Sequence, residues 1–263
     1  MPAIEANTTK ASNELPRFKK SKVKKKLSAE IVEGSSASES LLRAMWRLRL
    51  DFLNLSISED DDWEKFSDIC RRENTLLITF VDLSGELQGY YTFAFNPVNH
   101  EKRKALLIHA KYYYVRPAFR GHPKITSSSW QLLPGIIWRF GFRRIYFVAF
   151  SFPTSYVSLS RTFGRAMAIQ DDATPNWEKM VLANYAKDQT GSDWNEQQNL
   201  IFNQNVPVGE DKPASKNVMH LQQHYQSINP NWTQGISMPI MMKFDMATIK
   251  SVLKTGLRRK KRL

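Results

Sequence analysis

The spacing of hydrophobic positions predicts two helices near the beginning of the chain. Over residues 38–54 leucine, methionine and phenylalanine recur three and four positions apart, which is typical of an amphipathic helix, and Ser38 is suited to cap it. A second helix is predicted over 60–73, where acidic residues stand near the start and arginines near the end, as the helix dipole favours. A short strand over 27–33 is expected to precede both helices.

The pattern then changes to β-strands. Apolar and aromatic residues fill 76–81 and 87–95, and Ser84 with Gly85 between them indicates a tight turn, so these segments predict a hairpin. We expect a polar loop over 96–104 and a third strand over 105–115. Three antiparallel strands are thus predicted after the two helices.

The next segment predicts a strand, helix, strand unit. A Ser/Thr cluster at 126–129 opens an apolar helix that ends near Phe140, with a kink at Pro134 unless a new helix starts there. A further strand is predicted over 145–152. Such a connection places this strand parallel to 105–115 and puts the helix start near the carboxyl ends of both, where free N–H groups bind anions.

The chain after Gly164 is predicted to continue with helices, a strand and a long connection. The expected elements are helices over 176–187 and 216–226, a strand over 235–244 and a basic amphipathic helix over 245–257. Pro239 favours an edge position for the strand, because proline cannot donate to a sheet. The polar stretch 189–213 is long enough to be a lid or an insertion.

Composition narrows the class of protein. The chain has 263 residues, 42% of them hydrophobic, which is enough for one substantial core. No apolar run reaches the ~18 residues that span a bilayer, and the start of the chain lacks the apolar stretch of a signal peptide, so we expect an intracellular, cytoplasmic protein. Cys70 is the single cysteine, which excludes an internal disulfide and favours a buried, inert thiol.

The net charge of +13 lies entirely at the two ends of the chain. Residues 1–27 carry +6, residues 250–263 carry +7, and the body between them has equal numbers of acids and bases. A disordered first segment is expected from its composition. The basic ends are compatible with a solubilising role, with a nuclear-import signal, or with peripheral binding of nucleic acid or of an anionic membrane.

Two phrases carry a resemblance to a known family. The first phrase is Val115, Pro117, Phe119, Arg120 and Gly121, and the second is Leu159, Phe163 and Gly164. With the predicted order of elements, they resemble the GNAT superfamily of acyl-CoA-dependent N-acyltransferases. The resemblance implies an α/β (α+β) fold with a mixed, mostly antiparallel central sheet flanked by helices, followed by a C-terminal extension. The expected regions are a basic tail (1–27), a GNAT-like core (28–170), an extension completing or covering it (171–244) and a basic amphipathic helix with tail (245–263).

The resemblance also implies a site for the diphosphate of acyl-CoA, either acetyl-CoA or a longer acyl-CoA. The residues that it assigns to the cofactor are Val115, Arg120, Gly121, His122, Lys124, Thr126 and Ser127. The family places glycine or alanine where this chain has Pro123 and Ile125, and proline lacks the N–H that a phosphate would use. Either the hydroxyl groups and the helix start replace the lost donors, or the fold has lost the cofactor.

The catalytic residues follow from the same resemblance. The family often has an acid six residues before the valine of the first phrase, where this chain has His109, a residue able to accept the proton of an amine. Alternation along the strand predicts His109, Lys111, Tyr113 and Val115 on one face. Ser160 occupies the position of the family's tyrosine acid, and Tyr156 lies one helical turn before it.

The leading hypothesis is an enzyme that moves an acyl group from acyl-CoA to an amine of a small molecule or protein. The alternative is a non-catalytic GNAT-like binding protein that uses its basic tails to bind nucleic acid or an anionic membrane. No metal is expected, because His220 and His224 lack a third ligand nearby.

Overall fold

The computed structural model describes residues 26–55, 57–131, 133–140, 144–163, 166–202, 206–207 and 213–245. The strands in chain order, β1 to β11, are Ser28–Glu33, Leu53–Asn54, Thr75–Val81, Leu87–His100, Arg103–Val115, Arg144–Ser151, Met167–Ala168, Trp194–Asn195, Leu200–Phe202, Val206–Pro207 and Ile236–Phe244. The helices, α1 to α7, are Glu39–Leu50, Glu59–Arg71, Pro123–Gln131, Leu133–Phe140, Pro153–Phe163, Asn176–Thr190 and Met219–Ile228. The predicted basic tails lie almost entirely outside these residues.

One mixed sheet forms the centre of the protein. Its strands run in the order β1, β3, β4, β5, β6, β11, β9, β8, with β7 also paired to β11. Only β5 and β6 are parallel; the other pairs in this sheet are antiparallel. Helices cover both faces. The predicted fold class, an α/β (α+β) fold with a mixed, mostly antiparallel central sheet flanked by helices, is therefore confirmed.

Alternation along the strands divides the helices between the two faces. On β4, Tyr90 packs in the cluster of α1 and α2, whereas Tyr91 packs in a cluster that includes residues of α3 and α4. On β6, Val148 packs against α6 and Ala149 packs in the cluster of α5 and α7. Hence α1, α2 and α6 share one face, and α3, α4, α5 and α7 share the other.

Serine residues cap both helices at the beginning of the chain, as was predicted for Ser38. The hydroxyl of Ser38 accepts the backbone N–H of Leu41 at 3.2 Å and caps α1. Ser58 caps α2 in the same way by accepting from Asp61 at 3.1 Å. Such caps contribute about 1 kcal/mol each, because they satisfy donors that a helix start otherwise leaves free.

The polar loop expected over 96–104 is wrong, because β4 and β5 continue through it as a long hairpin. The strands pair as far as His100 and Arg103, and the two turn residues Glu101 and Lys102 have φ of 49° and 62°. Two positive φ values form the turn whose twist matches that of the strands. The prediction failed because glycine or asparagine is the usual signal for this turn, and neither stands at these positions.

The edge position predicted from Pro239 is also wrong, because β11 lies inside the sheet. Its one side pairs with β6, where Pro239 stands opposite Phe150. On its other side, β9 pairs with residues 236 and 237 and β7 pairs with residues 240 and 241. On that side of β11, Pro239 therefore falls between these two short strands and pairs with neither.

The apolar segment before β6 contains two helices and not one. The first, α3, begins at Pro123, three residues before the predicted Ser/Thr cluster, and α4 begins at Leu133. The restart places Pro134 in the first turn of α4, where a missing N–H costs nothing. Of the two alternatives stated for this proline, the restart of a helix is confirmed.

Candidate functional site

An opening in the sheet lies where the two parallel strands part. The pairing of β5 with β6 ends at His109 and Val148. Beyond that point residues 110–115 pair with β4, whereas residues 149–151 pair with β11. Because parallel strands present their carboxyl ends at the same edge, both the opening and the start of α3 lie at the end of the sheet where α/β proteins bind ligands.

A β-bulge redirects the side chains of β5 at this opening. Thr92 of β4 pairs with Tyr112 and the next residue, Phe93, pairs with Ala110, so Lys111 is the extra residue. Tyr112 packs beside α1 and α2, on the face of His109, whereas Val115 packs in the cluster of α3 and α4. The prediction that His109 and Val115 share a face is therefore wrong, because the bulge shifts the alternation by one residue.

The loop after β5 brings the predicted anion-binding residues together. Nε of Arg120 donates to the backbone oxygen of Val115 at 3.2 Å, and its guanidinium group lies 5.7 Å from the centre of the Phe52 ring. Gly121 has φ of 82° and open space around its Cα, so it turns the chain toward α3 without steric cost. The charge of Arg120 stands at the surface, three residues before the first residue of α3.

The start of α3 is closed by its own chain. The backbone N–H of Lys124 donates to Nδ1 of His122 at 3.1 Å, and the N–H of Ile125 donates to the backbone oxygen of His122 at 3.1 Å. Pro123 has no N–H to offer. In this conformation the residues do not fit a diphosphate at the helix start. The imidazole of His122 has to turn away before the N–H of Lys124 is free.

The hydroxyl groups of the Ser/Thr cluster bond within the same helix. Ser127 and the buried Ser128 both donate to the backbone oxygen of Lys124, at 3.1 and 2.8 Å. Their protons are therefore not directed to a ligand, although the oxygen of the exposed Ser127 is able to accept. Thr126 lies in the first turns of α3, and its side chain is outside the described part.

His109 is buried beside an aromatic group from α6. Its Nδ1 lies 3.0 Å from the hydroxyl oxygen of Tyr185, and its ring packs 4.4 Å from that of Phe150. Burial, helped by the charge of Lys111, holds the pKa of His109 well below its ordinary value. His109 is therefore neutral at pH 7, which is the state that a base requires.

Two residues of α6 that sequence reasoning did not select contact β5. Tyr185 receives a hydrogen bond from Nδ2 of Asn96 at 3.0 Å, in addition to its contact with His109, and burial raises its pKa. Gln189 accepts from Nζ of Lys111 at 2.8 Å. Burial, with the charge of Arg72, lowers the pKa of Lys111 to about 8. The periodicity of 176–187 indicated only a buried face for Tyr185, which gave no sign of its polar partner.

The two predicted acids lie on the opposite face of the sheet from His109. Tyr156 and Ser160 are both buried on one side of α5, and the ring of Tyr156 packs 5.4 Å from that of Tyr225. The hydroxyl of Ser160 has no hydrogen-bond partner within the described part of the chain. A base on one face and an acid on the other act on the same substrate only through the opening between β5 and β6.

A buried ion pair joins α1 to α2 beside the same opening. Asp62 accepts from Nη1 of Arg49 and, at 2.8 Å, from the indole N–H of Trp46. Burial opposes the charge of Arg49, but Tyr112, Asp62 and Tyr114 outweigh it and raise its pKa. Arg49 and Asp62 are almost completely buried, so the charge of each requires the opposite charge of the other as compensation for lost hydration.

Neither a cluster of metal-ligating side chains nor a membrane-crossing helix is present among the described residues. The part of the chain that the structure describes contains no group of three metal-ligating side chains. Among the same residues, no helix combines the length and the apolar character needed to cross a membrane.

Comparison with known proteins gives similarity at the level of structure. No family model and no curated protein matches the sequence. A probable N-acyltransferase from Enterococcus faecalis is similar with a TM-score of 0.38 and 14% identity, over 56% of this chain and 36% of that chain. An acyl-CoA N-acyltransferase from Pseudomonas aeruginosa has a TM-score of 0.36 and 14% identity, over 56% of this chain and 90% of its own. An aminoglycoside 6′-N-acetyltransferase from Acinetobacter baumannii has a TM-score of 0.36 and 11% identity, over 61% of this chain and 88% of its own.

These similarities concern the fold alone. The order of strands and helices described above, with one parallel pair that parts beside a helix start, is that of a mixed, mostly antiparallel α/β protein.

Proposed function

We propose that this protein transfers an acyl group from acyl-CoA to an amine at the opening between β5 and β6. The observation that carries the proposal is the parting of these strands after His109 and Val148. The start of α3 and the charge of Arg120 lie at the same end of the sheet, where a diphosphate would be attracted. The opening gives the acyl group access to side chains from both faces.

The proposed reaction needs one proton removed and one supplied. His109, neutral at pH 7, takes the proton of the amine as its nitrogen attacks the thioester carbon. The carbon–sulfur bond then breaks, and the thiolate of coenzyme A takes a proton from Tyr156 or Ser160 on α5. The buried hydroxyl of Ser160, which has no partner in the described residues, is suited to a hydrogen bond with the leaving sulfur.

The donor site in this proposal requires one local change. The diphosphate displaces the imidazole of His122 from the N–H of Lys124, and the side chains of Arg120 and Lys124 supply positive charge. Gly121 lets the backbone approach the phosphate. Val115, Thr126 and Ser127 complete the set that the sequence assigned to the cofactor.

Calorimetric titration of the full chain with acetyl-CoA and with a long-chain acyl-CoA, at moderate salt, tests the proposal. Saturable binding near one to one, followed by release of free thiol when amines are added, supports it. Arg120→Ala should weaken binding about tenfold or more, because a hydrogen bond to an ionised group is lost. Failure of both acyl-CoA compounds to bind would refute the proposal.

A second candidate is a binding protein without acyl-CoA, which contacts nucleic acid or an anionic membrane through its basic ends. The closed start of α3 favours this second candidate, because the N–H of Lys124 already donates to His122 and Pro123 has no N–H. Binding through the ends should weaken steeply with salt and vanish when residues 1–27 and 250–263 are deleted. Binding of acyl-CoA at the opening should survive both changes.

A further inference from the structure

We infer that Lys111 binds a carboxylate of the acyl acceptor, so the acceptor is an amine that also carries a carboxylate. The inference rests on the proposed acyl transfer and deepens it, because it names the chemical class of the second substrate. Lys111 belongs to neither of the phrases that carry the family resemblance. The reaction proposed above gives its ammonium group no contact with a substrate.

The β-bulge places Lys111 beside the opening, between α2 and α6. Lys111 is the extra residue of the bulge and lies two positions beyond the last pair of β5 with β6. Its Nζ donates to Oε1 of Gln189, near the end of α6, at 2.8 Å. The side chain is only partly buried, so a ligand at the opening is able to reach it.

The ammonium group of Lys111 forms no ion pair with any residue that the structure describes. The groups of α2 that act on it electrostatically are Asp68 and the thiol of Cys70, together with Arg72 directly after the helix. Asp68 binds Arg72 at 2.7 Å, so the charges of these two residues compensate each other. The positive charge of Lys111 is therefore left without a counter-ion on this side of the opening.

An ammonium group that is partly removed from water without a counter-ion destabilises the folded protein. The pKa of Lys111, lowered to about 8 chiefly by burial, reflects this unfavourable environment. A carboxylate bound at Nζ would supply the missing negative charge. Ionisable groups that burial perturbs beside an opening are typical of functional sites.

Two contacts on α6 have a spacing that fits one small acceptor. Tyr185 contacts His109, and Gln189, four residues further on the same helix, contacts Lys111. Four residues of a helix span about 6 Å along its axis. An amine at His109 and a carboxylate at Lys111 can therefore belong to one molecule of the size of an amino acid. A cationic amine without a negative group is instead repelled by Lys111.

Binding of the carboxylate also affects the proposed base. The charge of Lys111 contributes to the low pKa of His109, after the larger contribution of burial. A carboxylate paired with Lys111 offsets this contribution, so His109 becomes a stronger base when the acceptor is in place. Lys111 thus favours a carboxylate-bearing amine both in binding and in proton transfer.

The first test measures anion binding and does not depend on catalysis. NMR of isotopically labelled lysine side chains in the full-length protein, followed through the pH range in which lysine titrates, gives the pKa of Lys111. Lys111→Met assigns the signal by its loss. We expect excess sodium acetate, compared with sodium chloride at the same ionic strength, to raise this pKa from about 8 toward its ordinary value. The same pKa in both salts would overturn the inference.

The second test measures acyl transfer from acetyl-CoA to β-alanine, to its amide and to phosphoethanolamine. These amines carry a carboxylate, no negative charge and a phosphate, respectively, and we expect the lowest KM for β-alanine. In Lys111→Met this KM should rise about tenfold to about a hundredfold, the range for a hydrogen bond to a charged group, whereas the KM for the amide should not rise. Lys111→Arg keeps the positive charge and should keep the preference for β-alanine.

Lys187→Met is the matched control, because Lys187 also lies on the α6 side but is exposed and pairs with Glu196 at 3.4 Å. This variant should leave every KM unchanged. Equal KM values for β-alanine and its amide in the native protein, or a preference for phosphoethanolamine, would refute a carboxylate site at Lys111. Absence of acyl transfer to any amine would refute the proposed function, whereas the acetate titration would still decide whether Lys111 binds a carboxylate.

Discussion

Removing the imidazole of His122 should strengthen the binding of coenzyme A. In the structure, Nδ1 of His122 occupies the N–H of Lys124 at 3.1 Å, so a phosphate has to displace it. The proposed variant is His122→Ala, which leaves this N–H free. Pro123 stays in place, so the change concerns one donor of the helix start.

The size of the effect follows from one hydrogen bond. An intramolecular hydrogen bond contributes about 0.5–1.5 kcal/mol net, so its removal should tighten the binding of coenzyme A by about twofold to about tenfold. The same substitution removes the side-chain cap of α3 and should lower the free energy of unfolding by about 1 kcal/mol. The variant is thus expected to be less stable alone and to gain more stability from the ligand.

Calorimetric titration with coenzyme A, together with thermal unfolding with and without the ligand, measures both effects. His220→Ala is the control, because His220 is an exposed histidine on α7, a helix that packs against α5. Unchanged or weaker binding of coenzyme A by His122→Ala, with binding intact in the native protein, would show that the diphosphate does not use the start of α3.

Three further predictions concern buried groups. Asp62→Ala should lower the free energy of unfolding by about 3–5 kcal/mol, because it leaves the buried charge of Arg49 without its carboxylate. Urea unfolding measures this loss. The control is Asp68→Ala, at an exposed pair with Arg72, which should change the free energy of unfolding by less than about 1 kcal/mol. The pKa of Lys111 is about 8 in the folded protein, compared with its ordinary value of 10.5 in the unfolded chain. Between these two pH values the unfolded chain binds more protons, so the free-energy cost of burying Lys111 falls as pH rises. Lys111→Met should therefore exceed the native protein in stability by on the order of 3 kcal/mol at pH 7, and this difference should vanish near pH 11 in urea unfolding; a difference that does not change with pH would contradict the reasoning. Burial raises the pKa of the Cys70 thiol to about 12, so a thiol reagent at pH 8 should modify Cys70 only as fast as the protein opens, and rapid modification of the native protein would contradict its placement.

Local signals in the sequence were sufficient for most of the fold. The cap at Ser38 and the alternation of the central strands depend on residues a few positions apart, and the structure has the elements that they predict. The parallel pairing of β5 with β6 followed from the helices between them. The turn at Glu101 and Lys102 was missed, because its backbone conformation is imposed by the paired strands and not by the turn residues.

The candidate site was predictable only in part, because its contacts join distant parts of the chain. The position of His109 at the opening follows from the strand and its motif, but its partner Tyr185 is 76 positions away. The bulge at Lys111 depends on how β4 and β5 twist against each other, and no residue type in this segment predicts it. The hydrogen bond from the N–H of Lys124 to His122 joins residues two positions apart. It stands where a phosphate-binding loop would have glycines, so a search for the glycine pattern does not reveal this bond.

The place of β11 inside the sheet has a consequence for the way the chain acquires its structure. During synthesis β6 is complete long before residues 236–244 emerge, so one edge of β6 has no strand beside it until then. An unpaired apolar edge invites association with other chains. A nascent chain halted before Ile236 is therefore expected to need a chaperone, and the emergence of β11 converts an aggregation-prone intermediate into a sheet in which this edge of β6 is paired.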